Sequence, residues 1–366
     1  MKIKSLRLTN FRNYSFQALH FTAGKNLFIG KNAQGKSNIL EAIFCLSNLR
    51  SFRTSRIAEM IKWAEEGFFL KGDVVSKGMH NEITMFYSSK KKRITRNSQS
   101  VPRATDVLGL LYTVVFSPTD MMLIKGDPSV RRRFLDTLLS QISPSYLVSF
   151  QKYRKILKEK NVILKSERIN DTLLNTYNHQ LAESGSNIIY LRKRLIDKLN
   201  QYGNDIFYRF SVGKGKLQLH FSTIYDKLFP LTREKVFNVF LEFLNERKEA
   251  EKRRRISLIG PHRDDLVIEI NGIDAKRYAS EGQKRAITIS LKMAEFGIAK
   301  EIFKEPPVVL IDDVFGELDA EKKAVLNEIV QATEQTFITC TEKENVAGLA
   351  HNARQYKVEN GRIQTS

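Results

Sequence analysis

The stretch Gly30-Lys31-Asn32-Ala33-Gln34-Gly35-Lys36-Ser37 matches the pattern G-x-x-x-x-G-K-[ST]. A short apolar run, residues 26–29, precedes it, and residues 37–49 have the apolar spacing of a helix. Strand, glycine-rich loop and helix in this order form the context in which the pattern binds phosphate. A chance match in a glycine-containing turn is the alternative, and the flanking elements disfavour it. The stretch therefore predicts a nucleotide-binding loop in an α/β fold.

Each residue of this loop has an expected role. Gly30 and Gly35 allow backbone amide groups to point toward phosphate oxygens, and the start of the following helix strengthens the attraction. Lys36 is expected to reach the β- and γ-phosphates, and Ser37 to place its hydroxyl on Mg²⁺. The predicted cofactors are therefore ATP and Mg²⁺. The other predicted cofactor-binding residues of the loop are Lys31, Asn32, Ala33 and Gln34.

The acidic strand that completes such a site lies near the other end of the chain. Residues 308–311 are apolar and are followed by Asp312 and Asp313. Asp312 is expected at the carboxyl end of a buried strand, where open α/β sheets bind ligands, as a water-mediated Mg²⁺ ligand. Asp313 is expected to face the γ-phosphate and to orient or deprotonate the attacking water. Taken alone, either residue also suits a plain turn; together with the loop, the pair predicts a catalytic site.

Composition and charge point to a polyanionic partner. The 366-residue chain has a formal net charge of +20, and the surplus is concentrated in residues 121–260. Such a surplus favours polyanionic partners, with a merely solvated surface as the alternative. No apolar run approaches the ~20 residues that span a bilayer. The two cysteines, Cys45 and Cys340, indicate no disulfide framework, so we expect a cytoplasmic protein without a membrane partner.

The pattern of apolar residues changes along the chain. Residues 68–115 alternate as antiparallel hairpins do, and one turn is strongly basic, Lys90-Lys91-Lys92-Arg93. Helical patterns dominate from residue 131 to about 255, with a small β element near 216–221, and β patterns return from 256. We therefore predict a nucleotide-binding domain split between residues 1–118 and 257–366, with residues 119–256 inserted as a mostly helical lobe.

Two further motifs suggest a superfamily. Ser280-Glu281-Gly282-Gln283 precedes an apolar helical pattern at 286–299 and, taken alone, reads as a helix cap. At this position, before the acidic strand, it resembles the signature motif of ABC-type ATPases. Gly316-Glu317-Leu318-Asp319 is similar to the D-loop of the same superfamily. Four motifs in this order are hard to obtain by chance.

Longer blocks extend the resemblance over nearly the whole chain. They resemble the RecF family, bacterial recombination mediators related to SMC-type ATPases. The resemblance implies an ABC-type P-loop ATPase head, built from a mixed sheet with helices and an antiparallel β subdomain, with an inserted helical domain. The blocks are Leu8-Thr9-Asn10-Phe11-Arg12-Asn13-Tyr14, Ser51-Phe52-Arg53-Thr54, Val115-Phe116-Ser117-Pro118-Thr119-Asp120, Arg131-Arg132-Arg133-Phe134-Leu135-Asp136, Gly260-Pro261-His262-Arg263-Asp264-Asp265-Leu266 and Leu310-Ile311-Asp312-Asp313-Val314-Phe315-Gly316-Glu317-Leu318-Asp319.

The resemblance also implies an activity. Proteins of this family bind ATP and Mg²⁺, dimerise with ATP, bind DNA at gaps and single-strand/double-strand junctions, and hydrolyse ATP slowly. They act with RecO and RecR to load RecA, and they support repair, replication and the SOS response. By position, Lys36, Asp313 and Ser280 are the expected catalytic residues. Ser280 and Gly282 are expected at the γ-phosphate of the opposite subunit, and Asp319 at the dimer interface. Arg12 and Asn13 are the remaining expected cofactor-binding residues.

The sequence departs from the superfamily at the switch positions. Many ABC-type ATPases place a histidine after the strand that corresponds to residues 336–339, whereas Cys340, Thr341 and Glu342 follow here. Ser117 occupies the neighbourhood of a Q-loop glutamine. Asp313 stands where many relatives have glutamate, and its shorter side chain reaches less far toward water. We therefore expect slow, timer-like ATP hydrolysis, below ~1 s⁻¹.

Several alternatives stay open from sequence alone. His262 is expected to fix a turn, with a nucleotide- or interface-sensing role as the alternative. The chain could also be the ATPase subunit of a transporter, or a nucleotide-gated scaffold in which hydrolysis is incidental. Single basic residues are equally compatible with phosphate contacts and solvated charge. The candidates for phosphate contacts are Lys152, Arg154, Lys155, Arg192, Lys193, Arg194, Arg253, Arg254 and Arg255.

Overall fold

The computed structural model describes residues 1–211, 215–223, 232–342, 346 and 352–365. The chain divides into two units by its internal contacts. The first unit comprises residues 1–121, 209–213 and 285–366, and the second comprises residues 122–208 and 214–284. Three separated parts of the sequence thus form the first unit, and the two long ones come from opposite ends of the chain. No helix among the described residues is both long enough and apolar enough to cross a membrane.

The first unit contains a mostly parallel sheet in the order β15-β14-β3-β13-β12-β8. All neighbours are parallel except the last hairpin, β14–β15. Strands β12 and β13 are buried along their whole length, which explains the apolar run at residues 308–311 of β12. The strands are β3 (Gly24–Ile29), β8 (Thr113–Phe116), β12 (Val308–Asp312), β13 (Gln335–Cys340), β14 (Arg354–Glu359) and β15 (Arg362–Thr365).

A second sheet of the first unit is antiparallel, in the order β2-β1-β4-β5-β6-β7. It confirms the hairpins expected between residues 68 and 115, although β8 joins the parallel sheet instead. Inward positions alternate with outward ones along β4, as a half-buried strand requires. The strands are β1 (Lys2–Phe11), β2 (Tyr14–His20), β4 (Gly67–Ser76), β5 (Met79–Ser88), β6 (Lys92–Arg96) and β7 (Gln99–Ser100).

Helix α1 (Lys36–Asn48) lies between these two sheets and contacts strands of both. Its apolar residues Ile39, Ile43 and Leu46 are fully buried. Burial of each such side chain contributes ~1.5–3 kcal/mol, so this helix is a main source of the unit's stability. Helices α9 (Glu281–Phe303) and α10 (Ala320–Ala332) complete the C-terminal segments. The start of α1 is thereby fixed near the carboxyl end of β3, a central strand of the parallel sheet.

The second unit is mostly helical, as predicted, with a small sheet in the order β11-β10-β9. The expected β element near 216–221 is β9, and it pairs with β10. Because of this pairing, residues 257–284, which the sequence grouped with the nucleotide-binding domain, have their contacts in the second unit. Its elements are α2 (Met122–Lys125), α3 (Pro128–Ile142), α4 (Pro144–Lys165), α5 (Asp171–Phe210), α6 (Arg233–Glu246), α7 (Lys248–Arg254), α8 (Ala275–Tyr278), β9 (Leu217–Ser222), β10 (Asp265–Ile270) and β11 (Ile273–Asp274).

Two of the sequence blocks lock together inside the second unit. Arg131 makes a two-pronged ion pair with Asp265, with N–O distances of 2.8 and 2.7 Å. The buried Arg192 donates to the Asp136 carboxylate at 2.6 Å and to the Pro261 carbonyl oxygen at 2.6 Å. Buried charges are tolerated only when paired and hydrogen-bonded, as these are. The blocks Arg131–Asp136 and Gly260–Leu266 therefore have a structural role in holding α3 and α5 to the start of β10.

Candidate nucleotide site

The nucleotide-binding loop connects the end of β3 to the start of α1. Gly35 caps α1 with a φ of +113°, a conformation that glycine adopts without steric cost. A Cβ atom on Gly30 would lie 2.3 Å from the Val358 carbonyl oxygen of β14, so only glycine fits there. The loop needs both glycines for its path. Lys31, Asn32 and Ala33 are exposed at the tip of the loop, so the phosphates of a nucleotide can approach them from solvent.

Lys36 is folded back onto its own loop. Its Nζ donates to the carbonyl oxygens of Gly30 at 2.6 Å and of Lys31 at 2.9 Å. Burial lowers the pKa of this lysine, and the charges of Asp313, Cys340 and Asp312 oppose that shift. A partly desolvated ammonium group interacts with an anion more strongly than a surface lysine does, and the nearby carboxylates keep it protonated. This geometry fits the predicted phosphate-binding role.

The two ends of the predicted site meet at Ser37 and Asp312. The Ser37 hydroxyl donates to Oδ1 of Asp312 at 2.7 Å, across 275 residues of sequence. Thr339 on the adjacent strand β13 donates to the same oxygen at 2.9 Å. A hydroxyl and a carboxylate side by side are oxygen ligands of the kind that Mg²⁺ prefers. The residues present therefore fit the implied metal, with Ser37 and Asp312 as the groups that would hold it.

Asp313 follows directly and has a different environment. Its φ is +51°, an uncommon value for a non-glycine residue. The backbone N–H of Asp313 donates to the Thr339 hydroxyl at 2.9 Å. The turn leaves the Asp313 side chain half-buried, whereas Asp312 is buried. Thr339 thus holds both aspartates, the side chain of Asp312 and the backbone of Asp313.

Three residues without a predicted role, Tyr14, Asn360 and Gly361, hold the nucleotide-binding loop in place through hydrogen bonds. Oε1 of Gln34 accepts the Asn360 N–H at 2.6 Å, and the Gln34 carbonyl accepts the Gly361 N–H at 3.2 Å. The Tyr14 hydroxyl donates to the Gly35 carbonyl at 3.1 Å. Asn360 and Gly361 form the β14–β15 turn, and their Asn-Gly pair is a hairpin signal. That signal predicts a turn, but not that the turn contacts the loop.

Asn13 and Arg12 lie next to the loop in different ways. The Asn13 side chain donates to the Gln34 carbonyl at 2.9 Å and is exposed, as a cofactor-binding residue could be. The Arg12 guanidinium instead binds the fully buried carboxylate of Glu41 at 2.8 and 2.6 Å and the Glu59 carbonyl at 2.6 Å. Glu41 lies on α1, so Arg12 anchors that helix in this conformation. A direct contact of either residue with the nucleotide stays a prediction.

The signature-like motif forms the start of α9. The Ser280 N–H donates to Oε1 of Gln283 at 2.8 Å, and the Gln283 N–H donates to the Ser280 hydroxyl at 3.2 Å. This reciprocal pair is a capping box. Ser280 and Gly282 are exposed, and a Cβ on Gly282 would meet only the Ser280 hydroxyl, at 3.9 Å. Helix cap and exposed anion-binding edge are therefore compatible roles for the same residues.

Asp319 of the D-loop-like motif caps the next helix. Its carboxylate accepts the Lys322 N–H at 3.0 Å and also pairs with the Lys322 side chain. These hydrogen bonds lower the pKa of Asp319. The carboxylate is exposed, so the expected position at a dimer interface is sterically possible and stays a prediction.

Ser117 and Cys340 lie where many ABC-type ATPases have a Q-loop glutamine and a switch histidine, and both take part in local hydrogen bonds. Ser117 follows β8, and its N–H donates to Asp120 at 2.7 Å while its hydroxyl bonds Thr119 at 2.7 Å. Cys340 is buried at the end of β13, and its carbonyl accepts the Gly30 N–H at 3.3 Å. Burial raises the pKa of Asp120 to about 6. Neither the Ser117 nor the Cys340 side chain has the reach of the glutamine or histidine that it replaces.

The candidate phosphate contacts separate into different groups. Arg192 is only 2% exposed and is bound to Asp136, so its assignment as a phosphate contact was wrong. Because its neighbours in sequence are also basic, the sequence did not indicate that Arg192 lies on the buried face of α5. Lys152 pairs with Glu183, and Lys193 pairs with Asp197. The fully exposed candidates at the end of α7 are Arg253, Arg254 and Arg255.

His262 is held inside the second unit. Its Nδ1 lies 2.7 Å from the Tyr153 hydroxyl, and its Nε2 lies 3.4 Å from the Ser257 carbonyl oxygen. Because a carbonyl only accepts, Nε2 carries the proton and Nδ1 accepts from Tyr153. Burial lowers the pKa of His262 to about 4. The contacts agree with the turn-fixing role.

The fold and these motifs have close counterparts among known proteins. The family model described as "RecF/RecN/SMC N terminal domain" matches residues 2–364. The DNA replication and repair protein RecF of Clostridium perfringens (strain SM101 / Type A) is 38% identical, over 100% of both chains. The protein of the same name from Clostridium tetani (strain Massachusetts / E88) is 37% identical, over 99% of both chains.

Solved structures give the same result. A structure described as the recombination mediator protein RecF-ATP in the RecFOR pathway superposes with a TM-score of 0.92 at 33% identity, covering 100% of this chain and 97% of that chain. An Smc head bound to the C-winged helix domain of ScpA gives a TM-score of 0.55 at 16% identity over 100% of this chain and 98% of that chain, which shows a shared fold. The chain has the ABC-type ATPase head fold and belongs to the RecF/RecN/SMC N-terminal domain family, within it to the RecF proteins.

Proposed function

We propose that this protein is an ATP-gated dimer that binds DNA and acts as a recombination mediator. The observation that carries the proposal is that the site is chemically divided. Lys36, Ser37, Asp312 and Asp313 form the nucleotide-binding site, whereas the capping box of Ser280 and Gln283 is exposed at the start of α9. A signature edge that is open to solvent can cap a nucleotide held by another copy of the chain. Two ATP molecules would then form part of a two-fold interface.

ATP binding and hydrolysis would set the lifetime of this dimer. A ligand that binds the dimer more tightly than the monomer stabilises the dimer by mass action, and its hydrolysis removes that stabilisation. Lys36 and the backbone amides of the loop would bind the phosphates, with Ser37 and Asp312 holding Mg²⁺, which supplies charge neutralisation. Asp313 would orient the attacking water. Its short side chain, together with Cys340 in place of a histidine, supports slow turnover stimulated by DNA.

DNA binding would use exposed basic side chains of the second unit. Arg253, Arg254 and Arg255 end α7 and are fully exposed. Arg154 and Arg194 stack over Phe150 and Tyr190 at 5.8 Å from each ring centroid, which leaves their charge available to a phosphate. Contacts of this kind position DNA without reading its sequence. We therefore propose a preference for DNA structure, namely gaps and single-strand/double-strand junctions.

The proposed partners and location follow from the same role. A mediator at such junctions would act with RecR and RecO to promote RecA loading in repair, replication restart and SOS induction. Such a protein would work in the cytoplasm, where the chromosome lies. The names RecF and RecFOR pathway attached to the relatives support this assignment.

The test is light scattering with and without ATP and Mg²⁺. The wild-type protein should change from monomer to dimer when ATP is added. Lys36→Met removes the phosphate-binding ammonium group, and Ser280→Arg places a bulky side chain at the exposed edge, so both variants should stay monomeric. Ser280→Arg should still bind ATP, because Ser280 is not part of the first unit. A wild-type protein that stays monomeric with ATP would refute the proposal.

A second candidate is a nucleotide-gated scaffold in which hydrolysis is incidental. The half-buried, short Asp313 favours it, because that side chain is weakly equipped for catalysis. Asp313→Asn keeps the size of the side chain and removes its charge. If this variant binds ATP, dimerises and still complements a repair-deficient strain, the scaffold is correct. If it dimerises but fails to complement, hydrolysis is part of the function.

A further inference from the structure

The antiparallel sheet of the first unit carries a row of phenylalanines that the nucleotide site does not use. Thr9 of β1 pairs with Phe16 of β2 on one side and with Phe69 of β4 on the other. Phe69 pairs in turn with Phe86 of β5, and Phe86 pairs with Arg93 of β6. Directly opposed residues place their side chains on the same face of a sheet. We call the set Phe16, Thr9, Phe69, Phe86 and Arg93 the aromatic row.

The aromatic row lies on the outer face of that sheet. The alternate residues Leu8, Leu70 and Met85 are buried on the other face, on the side of α1, which contacts β1, β4 and β5. Side chains alternate between the two faces of a strand, so the row points away from α1. Phe16 is 56% exposed and Phe86 is 36% exposed. Large exposed aromatic groups in a line mark an interaction surface more often than isolated ones do.

The surroundings of the aromatic row are basic. The Arg7 guanidinium lies over the Phe16 ring, 5.1 Å from its centroid. Lys71 is two residues from Phe69 on the same face and pairs with Glu82 at 2.6 Å. The turn between β5 and β6 contains Lys90 and Lys91, and both are exposed. Aromatic rings interleaved with cations form the kind of surface that stacks nucleobases and neutralises phosphates.

An exposed tryptophan lies at one end of the same sheet. Trp63 is 95% exposed. It follows Lys62, whose N–H donates to the Asn10 carbonyl of β1 at 2.9 Å, and Asn10 is the neighbour of Thr9. An indole ring that is almost fully in water has no role in packing the unit. The backbone hydrogen bond of Lys62 places this exposed ring beside the end of β1, the strand that carries Thr9.

We propose that this face binds a single strand of nucleic acid, with bases stacked on Phe16, Phe69 and Phe86. The inference rests on the proposed DNA-binding function and names a second DNA surface, specific for the single-stranded arm of a junction. Strands in a sheet are ~4.8 Å apart, so the phenylalanines span roughly 14 Å, enough for a few nucleotides. The basic flanks favour nucleic acid over an apolar protein surface, since phosphates would neutralise Arg7 and Arg93.

Trp63 provides the measurement, because it is the chain's one tryptophan. We expect a short oligo-dT, added to the full-length protein without ATP, to quench the fluorescence of Trp63. Phe16→Leu combined with Phe86→Leu keeps apolar surface and removes stacking, and should weaken oligo-dT binding by about tenfold or more. Arg7→Gln combined with Arg93→Gln should lower the salt dependence of binding by about 1.4 in log–log slope. Val162→Ala, at an exposed apolar position of α4, is the matched control and should change neither.

The same variants are titrated with duplex DNA in the presence of ATP. If the proposal is correct, the phenylalanine variant loses single-strand affinity and keeps its duplex affinity and ATP-dependent dimer. Unchanged single-strand affinity in both double variants overturns it, as does equal weakening for single strands and duplex. A wild-type protein that binds only a protein partner through this face also overturns it. Absence of all DNA binding by the wild type would instead refute the proposed function, so the two failures are distinguishable.

Discussion

Thr336 and Thr339 of β13 are both buried, so substitutions at these two positions can distinguish positioning of the site aspartates from burial alone. Thr339 of β13 donates to Asp312 and accepts from the Asp313 backbone, whereas the buried Thr336 hydroxyl has no hydrogen-bond partner among the described residues. Thr339→Val should lower ATP turnover about tenfold, because a hydrogen bond to a charged group contributes ~1.5–3 kcal/mol. Binding of a fluorescent ATP analogue should change much less, since Thr339 is not expected to touch the nucleotide.

The control for this prediction lies three residues away. Thr336→Val removes a buried hydroxyl that bonds to nothing described, so turnover should stay at the wild-type value and stability should not fall. Thr339→Ser keeps the hydroxyl and should restore most of the turnover. Equal losses in Thr336→Val and Thr339→Val would show that the strand tolerates no valine, and would remove the positioning role.

At the scale of elements, the loop between α7 and β10 has a built-in response to pH. His262 is neutral, with Nδ1 facing Tyr153, and its pKa of about 4 lies below the ~6.5 of an unfolded histidine. Burial is the main cause, and the positive charges of Arg263, Lys160 and Arg132 add to it. Between these pH values the unfolded chain binds a proton that the folded chain does not. Stability should therefore fall as the pH drops from ~6.5 toward ~4.

Urea denaturation at pH 7.5 and pH 5 measures this response. Wild type should lose roughly 2 kcal/mol more than His262→Gln over the interval, because glutamine can replace the hydrogen bonds and does not titrate. The C2 proton of His262 should also keep its neutral chemical shift at pH 5.5. A histidine that titrates near 6.5 in the folded protein would contradict the buried, turn-fixing role.

The elements also show how far sequence reasoning reaches. The pairing of Ser37 with Asp312 was predictable, because each motif marks the carboxyl end of a parallel strand or the helix that follows one. The hydrogen bonds from Asn360 and Gly361 to Gln34 were not predictable. They depend on β14 lying beside β3, and neither segment of sequence indicates this strand order. The prediction that Arg192 contacts a phosphate was wrong for a related reason. Its neighbours in sequence are charged, and only the packing of α5 reveals which face it occupies.

At the scale of the whole molecule, the 60 lysines and arginines behind the net charge of +20 are of two kinds with different effects. Exposed charge attracts polyanions and acts through counterion release, so its effect depends on salt. Buried and paired charge, such as Arg192 with Asp136 or Lys160 with Glu251, holds the second unit together and is shielded from salt. The count of basic residues alone therefore overstates the surface that attracts polyanions. Substitution of an exposed arginine should change DNA binding, whereas substitution of a buried, paired arginine should change stability.

The last prediction uses that separation. Replacing the exposed Arg253, Arg254 and Arg255 together by glutamine should weaken duplex DNA binding and lower the slope of log K against log salt by as much as about 2.7, with little change in Tm. Arg192→Gln should instead lower the stability of the second unit by ~3–5 kcal/mol, because Asp136 would be left buried and unpaired. The DNA-binding slope of the folded Arg192→Gln fraction should match wild type. If the triple variant keeps the full slope, the end of α7 is not the DNA surface, and the salt dependence must come from other exposed charges of the molecule.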